Sequence, residues 1–269
     1  MSENPNQFLT VAISAAKEAG AYLLDRFGSL TADAIDEKQR NDFVTVVDKT
    51  SEELILKKIR QHFPDHQILA EESGDFSSQS RFRWFIDPLD GTMNFIRNIP
   101  FYAVSIAVQD GDRMVAGVVY NPSQNELFTA ARGKGAFLNE DPIHVSQEPD
   151  FSRAFLATGF PHHSKNYIPQ FTTAFSEVFA RTAGVRRLGS AALDLCYTAC
   201  GRFEGFWELG LNPWDIAAGS LLVEEAGGKV SDFQGKSSFL DSGFIIAASA
   251  ETHPYIQNIL STHFKGSKS

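Results

Sequence analysis

Asp87 and Asp90 stand three positions apart in the stretch Trp84-Phe85-Ile86-Asp87-Pro88-Leu89-Asp90-Gly91-Thr92. Two further acids, Glu71 and Asp215, stand at comparable junctions. Carboxylates with backbone carbonyls between them and amide donors after them can hold a hard divalent cation, Mg²⁺ or Mn²⁺, against a phosphate. The apolar run Trp84-Phe85-Ile86 reads as a buried strand that Pro88 and Gly91 close within a few residues. Because proline cannot donate to a central ladder, the chain is expected to leave the sheet at Asp87. A plainer reading competes with this one, since Asp-Pro also marks a helix entry, with Asp as cap and Pro as first helical residue. Partners elsewhere in the chain have to decide between them.

The elements that would position those partners follow from periodicity. Phe8, Val11, Ala12, Ala15, Ala19, Tyr22, Leu23 and Phe27 recur at helical spacing and predict an amphipathic helix stopped at Gly28. An extended run over 42–48 leads to a second helix opening at Thr50, which sets Asp48 at or just inside its entry. Residues 67–70 read as a strand carrying Glu71 and Glu72 at its C-terminal end. Runs at 102–109, 113–120 and 126–131 predict an antiparallel meander. Within it Asp110-Gly111-Asp112 reads as a hairpin turn, because the other ligands of a calcium loop are missing. Gly133-Lys134-Gly135 lacks a following helix and reads as a turn.

From Pro142 onward helices and strands alternate, so an N-terminal α+β half (1–144) and a C-terminal α/β half (145–269) are expected to form one catalytic unit with its site at the seam. Pro213 opens a helix running to Glu225, which puts Asp215 in the first turn, where an acid can also serve only the helix dipole.

Composition narrows the function. Apolar residues make up 43% of the chain and aromatics 12%, which is far from a disordered composition. Net charge is −9 and the basic residues are scattered, which argues against nucleic acid or an anionic membrane as the main ligand. An anionic substrate would then need cations other than side chains. The start Met-Ser-Glu-Asn-Pro has no secretory pattern and no apolar run is long enough to span a bilayer, so a cytoplasmic protein is expected. Cys196 and Cys200, four apart without nearby ligand partners, read as buried free thiols.

Glu71, Asp87, Asp90 and Asp215 fall at a strand end, a strand exit and a helix entry, where sheets present ligands to a crevice. Each acid makes its neighbours harder to ionise, and two or three Mg²⁺ would reverse that field. A phosphate could then bridge the cations and meet the amides of Gly91 and Thr92 if a helix starts there.

The run Asp87-Pro88-Leu89-Asp90-Gly91-Thr92-Met93-Asn94-Phe95, together with Ala70-Glu71-Glu72-Ser73, Pro213-Trp214-Asp215 and Glu224-Glu225-Ala226-Gly227-Gly228, resembles the inositol monophosphatase family. The likeness extends from the first helix to the last strand. It implies an α+β fold of layered αβαβα type, Mg²⁺-dependent phosphomonoester hydrolysis, lithium inhibition and, often, a homodimer. By the same resemblance Glu71, Asp87, Asp90, Asp215 and the Leu89 carbonyl match metal ligands. Thr92 and Asp48, with Glu71, match the groups that orient and deprotonate the attacking water. Gly189, Ser190, Ala191 and Glu208, with Asp90, match the substrate-hydroxyl segment, although Gly189-Ser190 also reads as a helix cap.

The expected mechanism is in-line attack by a metal-activated water, with no covalent intermediate. Inositol monophosphate is the first candidate substrate, Glu208 and Asn94 favouring a small polyol phosphate. Fructose 1,6-bisphosphate, histidinol phosphate and adenosine 3′,5′-bisphosphate are the alternatives within the family. The haloacid dehalogenase pattern would need an Asp two residues before Asp90, where Pro88 stands. A regulatory protein-binding scaffold is the alternative of another class. Two positions have no assigned role: Lys38, and the His162-His163 pair, which either borders the substrate or is simply solvated.

Overall fold

The computed structural model describes residues 5–30, 35–39, 42–162 and 164–265. Helix α1 (Pro5–Arg26) is followed by a small antiparallel pair, β1 (Ile35–Gln39) and β2 (Asp42–Thr45), and by α2 (Val46–His62). Next come β3 (Gln67–Ala70), β4 (Gly74–Phe76), β5 (Phe82–Asp90) and the short α3 (Thr92–Ile96). The meander is β6 (Ala103–Asp110), β7 (Arg113–Asn121), β8 (Glu126–Ala131), β9 (Ala136–Leu138) and β10 (Asp141–Ile143). The remainder is β11 (Phe155–Thr158), α4 (Ile168–Arg181), β12 (Gly184–Arg186), α5 (Ala191–Ala199), β13 (Gly205–Leu209), α6 (Pro213–Glu225), β14 (Lys229–Ser231), α7 (Phe239–Ser242), β15 (Phe244–Ala248) and α8 (His253–His263).

Two sheets organise these elements. One has eight strands in the order β10-β9-β8-β7-β6-β5-β3-β4, antiparallel except where β3 runs parallel to β5. The other has five, in the order β12-β11-β13-β15-β14, with β11 parallel to both of its neighbours.

Period-two alternation along the strands sorts the apolar residues into separate cores. In the eight-stranded sheet Trp84, Ile86, Val104, Ile106, Val108 and Val118 face α1 and α2. Phe85, Ala103, Ala107 and Val119 point the other way, toward α5 and α6. Those two helices are covered on their far side by Phe206, Ile245 and Ala247 of the five-stranded sheet. That sheet's outer residues, Leu156, Trp207 and Ile246, pack on α4 and α8. The order of layers is therefore helix, sheet, helix, sheet, helix, the αβαβα arrangement expected of the family.

Several local expectations are corrected. The strand carrying the aspartates does not end at Asp87: β5 continues through Pro88 to Asp90, its pairing with β6 slipping between Asp87↔Ser105 and Asp90↔Ala103. A bulge tolerates proline because the displaced residues owe the ladder no donor. Helix α2 begins at Val46, four residues earlier than its polar run implied, because Thr45 caps it and Asp48 completes a capping box. The hairpin at 110–112 is as expected, with Asp110 paired to Arg113 and Gly111 at φ +59°. Cys196 and Cys200 are free thiols, the first buried. Among the described residues no helix is long and apolar enough to cross a membrane.

The middle layer can sit close to the large sheet because β7 carries a glycine where α6 crosses it. A Cβ on Gly117 would lie 3.0 Å from the Ala218 carbonyl oxygen and 3.2 Å from the Ala218 Cα. Backbone on both sides cannot retreat without moving a layer. Gly117→Val is therefore expected to destabilise the fold by about 1–3 kcal/mol, seen in urea unfolding as a lower midpoint at unchanged slope.

Candidate active site

The turn after Ile86 is held from three directions. The Leu89 amide donates to Asp87 Oδ1 at 2.9 Å, and Ser51 Oγ from α2 donates to the Pro88 carbonyl at 2.9 Å. Gly91 adopts φ +92°, and a Cβ there would meet the Phe101 carbonyl oxygen at 3.0 Å, so glycine serves both the conformation and the close approach. α3 then starts at Thr92, whose Oγ1 lies 3.1 Å from Asp48 Oδ1 and 3.0 Å from the Leu89 carbonyl oxygen. Asp48 is itself fixed, because its Oδ2 accepts from the Thr45 amide at 2.8 Å and the Thr45 hydroxyl at 2.6 Å.

The other acids arrive on neighbouring elements. Glu71 follows the last residue of β3, its amide donating to the Ile86 carbonyl at 3.1 Å. Asp215 occupies the third position of α6, where its Oδ2 accepts from the Asn212 amide at 2.7 Å. Asp90 links the two halves: its Oδ2 accepts from Ser190 Oγ at 2.5 Å and from the Ala192 amide at 2.8 Å, at the start of α5. Glu208 stands near the end of β13 beside Gly159, where any Cβ would fall 1.9 Å from its carboxylate. The bond from Thr158 Oγ1 to the Trp207 carbonyl, 2.8 Å, keeps those two strand ends in step.

These residues enclose one cavity of ≈180 Å³. Of the positions expected from the sequence, Glu71, Asp87, Leu89, Asp90, Gly91, Thr92, Gly189, Ser190, Ala191, Glu208 and Asp215 all line it. Asp48 does not line it and reaches it through Thr92. Asn94, read from the sequence as favouring a small polyol phosphate, is buried and spends its amide on the Phe101 and Leu188 carbonyls at 2.8 and 2.9 Å. It braces the approach to Gly189. His162 lines the cavity, with Nε2 3.2 Å from Arg187 Nη2. His163 and the side chain of Lys38 lie outside the described residues.

Two lining residues, Arg187 and Asp194, had no motif to announce them. The sequence signal for Arg187 is only the pair Arg186-Arg187 before Gly189. Asp194 looks like an ordinary helical acid until α5 is seen packed against the cavity.

Burial and mutual repulsion push the acids in one direction. Asp87 is raised well above the usual carboxylate range, first by desolvation and then by the charges of Glu71, Asp90 and Asp215. Asp215 is raised for the same reasons, desolvation first, then Glu71 and Asp90. Desolvation lifts Asp90 to about 6 against the opposing hydrogen bonds from Ser190 and Ala192. Desolvation lifts Glu208 to about 8, opposed by Arg187 and reinforced by Asp90. Asp48 is raised by burial against its bonds to Thr45 and Thr92.

Among the described residues no three His, Cys, Asp or Glu side chains already converge as a formed metal cluster. The acids instead surround the cavity as electrostatic neighbours. With the Leu89 carbonyl they supply only oxygen donors, the chemistry that hard divalent cations need. The donor set fits such cations.

A sequence profile of the inositol monophosphatase family matches residues 4–264. The chain is 48% identical over 240 residues to Nus factor SuhB of Salmonella typhimurium, covering 89% of this chain and 90% of that protein. It is similar to the crystal structure of extragenic suppressor protein suhB from Bartonella henselae, with a TM-score of 0.91 at 38% identity, over 97% of this chain and 100% of that one. The structure of inositol monophosphatase from Anabaena (Nostoc) sp. PCC 7120 matches with a TM-score of 0.87 at 40% identity, covering 97% of each chain.

The raised acids set the sign of the pH dependence. A carboxyl whose folded pKa exceeds its unfolded value binds its proton more tightly when folded, so its stabilising contribution is complete below the unfolded pKa and is lost as pH rises through the folded one. For Asp90 and Glu208 those folded values are about 6 and about 8. The metal-free protein is expected to lose thermal stability from pH ~4 to pH ~8. Added Mg²⁺ should raise Tm more at the top of that window than at the bottom. Calorimetry with and without EDTA checks this, and a Tm indifferent to Mg²⁺ at pH ~8 would contradict it.

Proposed function

The chain belongs to the inositol monophosphatase family and is a phosphatase of that family, and from that premise we propose that it hydrolyses a small polyol or sugar phosphomonoester, inositol monophosphate first. The observation that carries this reading is the meeting of four acids and one backbone carbonyl in a cavity also lined by Glu208, Arg187 and the start of α5. The first set suits a phosphate held through cations and the second a hydroxyl-bearing leaving group.

Glu71, Asp87, Asp90, Asp215 and the Leu89 carbonyl would hold two or three Mg²⁺, with Mn²⁺ as the alternative ion. When bound, these cations lower the pKa of water and offset charge on the phosphate and the departing oxygen. The chain's own groups do the positioning. Thr92 Oγ1, within reach of both Asp48 and the Leu89 carbonyl, can donate to one of them while a lone pair accepts from the attacking water. Glu71 orients that water from the other side, and Asp48 draws the proton through the Thr92 hydroxyl. The amides of Gly91 and Thr92 face the phosphate, and Glu208, Ser190 and Ala191 hold the leaving group in line. Displacement occurs in one step at phosphorus, with no covalent enzyme intermediate. The seam between residues 144 and 145, on this reading, divides most cation-binding groups from the leaving-group side.

The regulatory reading has one observation in its favour, the name Nus factor carried by relatives such as the Salmonella typhimurium protein. A non-catalytic role of that kind would survive loss of the catalytic acids, which separates the two readings experimentally.

Asp87→Asn and Asp215→Asn are each expected to lower Mg²⁺-dependent phosphatase activity at least about a hundredfold, with circular dichroism unchanged. Undiminished activity in either variant overturns the ligand assignment. A panel of inositol monophosphate, fructose 1,6-bisphosphate, histidinol phosphate and adenosine 3′,5′-bisphosphate, assayed with Mg²⁺ and with Li⁺ as inhibitor, ranks the substrates. In ¹⁸O water the label should reach phosphate without a trapped acyl-phosphate.

A further inference from the structure

The cavity contains a carboxyl group that the proposed mechanism does not use. Asp194, on the inner face of α5, is 1% exposed, and its Oδ1 is buried without a hydrogen-bond partner. It lines the same cavity as Glu208 and Arg187. Desolvation first, and then the charges of Glu208 and Asp90, push its carboxyl well above the usual range while Arg187 opposes them, so all four groups share one electrostatic neighbourhood.

A helix-capping duty does not explain the residue. Ser190 already caps α5, accepting from the Leu193 amide at 3.3 Å, and Asp90 accepts from the Ala192 amide. A salt bridge does not explain it either, since Arg187, the guanidinium whose charge acts on it, forms no ion pair with Asp194 among those found in the described residues. Buried polar atoms in native proteins nearly always have a partner, and each exception needs a reason. Here the residue that carries the oxygen lines a cavity that a substrate enters.

We propose that Asp194 is a specificity-determining residue that accepts, beside Glu208, a hydrogen bond from a hydroxyl of a polyol leaving group. The inference rests on the phosphatase reading above and extends it to a residue no motif assigned. The mixture of charges selects the ligand chemistry. An ammonium group would satisfy the two acids but be repelled by Arg187. An alkyl or aryl group would leave all three polar groups dry and unpaired. Hydroxyls both donate and accept, so adjacent hydroxyls can serve the two carboxylates and the guanidinium together.

The test compares kcat/KM for inositol 1-phosphate with that for p-nitrophenyl phosphate, which carries no leaving-group hydroxyls. In Asp194→Ala the ratio of the two is expected to fall at least about tenfold, chiefly through KM for the polyol ester. Asp194→Asn, which keeps an acceptor oxygen, should recover part of that ratio. A folded Ala variant with the wild-type ratio overturns the inference, as does an equal loss on both esters, which would mark a structural role. A loss confined to phosphoethanolamine, assayed alongside, overturns it in favour of ammonium recognition. Should the Ala variant fail to fold, the wild-type enzyme with singly deoxygenated inositol phosphates decides: one of them must lose at least about tenfold, and Asp194→Asn must reduce that penalty. A wild-type enzyme inactive on polyol phosphates would instead defeat the proposed function itself.

Discussion

Like charge confined in a desolvated space is the constraint on which this structure turns. Asp87, Asp90 and Asp215 are all pushed upward by burial, and Asp87 and Asp215 also by the charges of Glu71 and Asp90. Left to themselves, such groups would separate or take up protons. The fold prevents separation by giving nearly every acid a backbone donor that fixes it: Leu89 for Asp87, Ala192 for Asp90, Asn212 for Asp215, Thr45 for Asp48. On the proposed reading, scaffold and cation would divide the tasks, the first holding the acids and the second neutralising them.

Those donors are mostly helix starts and turns, so the structural and functional readings of these acids coincide. Asp48 completes the cap of α2 and also meets Thr92. Asp215 accepts from the entry of α6 and also lines the cavity. Unpaired amides at a helix entry need an acceptor, and an acceptor held there is already oriented. A cap and a place beside the cavity are therefore not alternatives for Asp48 and Asp215.

The bond network of Asp90 explains why the cavity spans both sheets. Its carboxylate belongs to the eight-stranded sheet, while its donors begin α5 in the layer between the sheets. Asn94 makes a second tie, from α3 to the carbonyl of Leu188. Any shift of α5 would thus be felt at β5, and the start of α5 is coupled to the acid-bearing turn through two hydrogen-bonded bridges rather than through loose loops. Gly159 has a complementary role, leaving space that only the Glu208 carboxylate fills.

Local pattern in the sequence determined which residues could do the chemistry. Asp87-Pro88-Leu89-Asp90-Gly91-Thr92 names its acids by spacing, and alternation along β5 to β8 names the two faces of the large sheet. Short-range competition was harder to read: a bulge carried β5 past Pro88, and the Thr45 cap started α2 early. Asn94 belonged to the recognised motif yet turned inward, because two backbone carbonyls, one of them Leu188 far along the chain, were within its reach. Arg187 and Asp194 carry no local signature, since what matters about them is which element packs opposite. Tertiary structure alone decided that, because a helix face has no polarity of purpose until another layer closes over it.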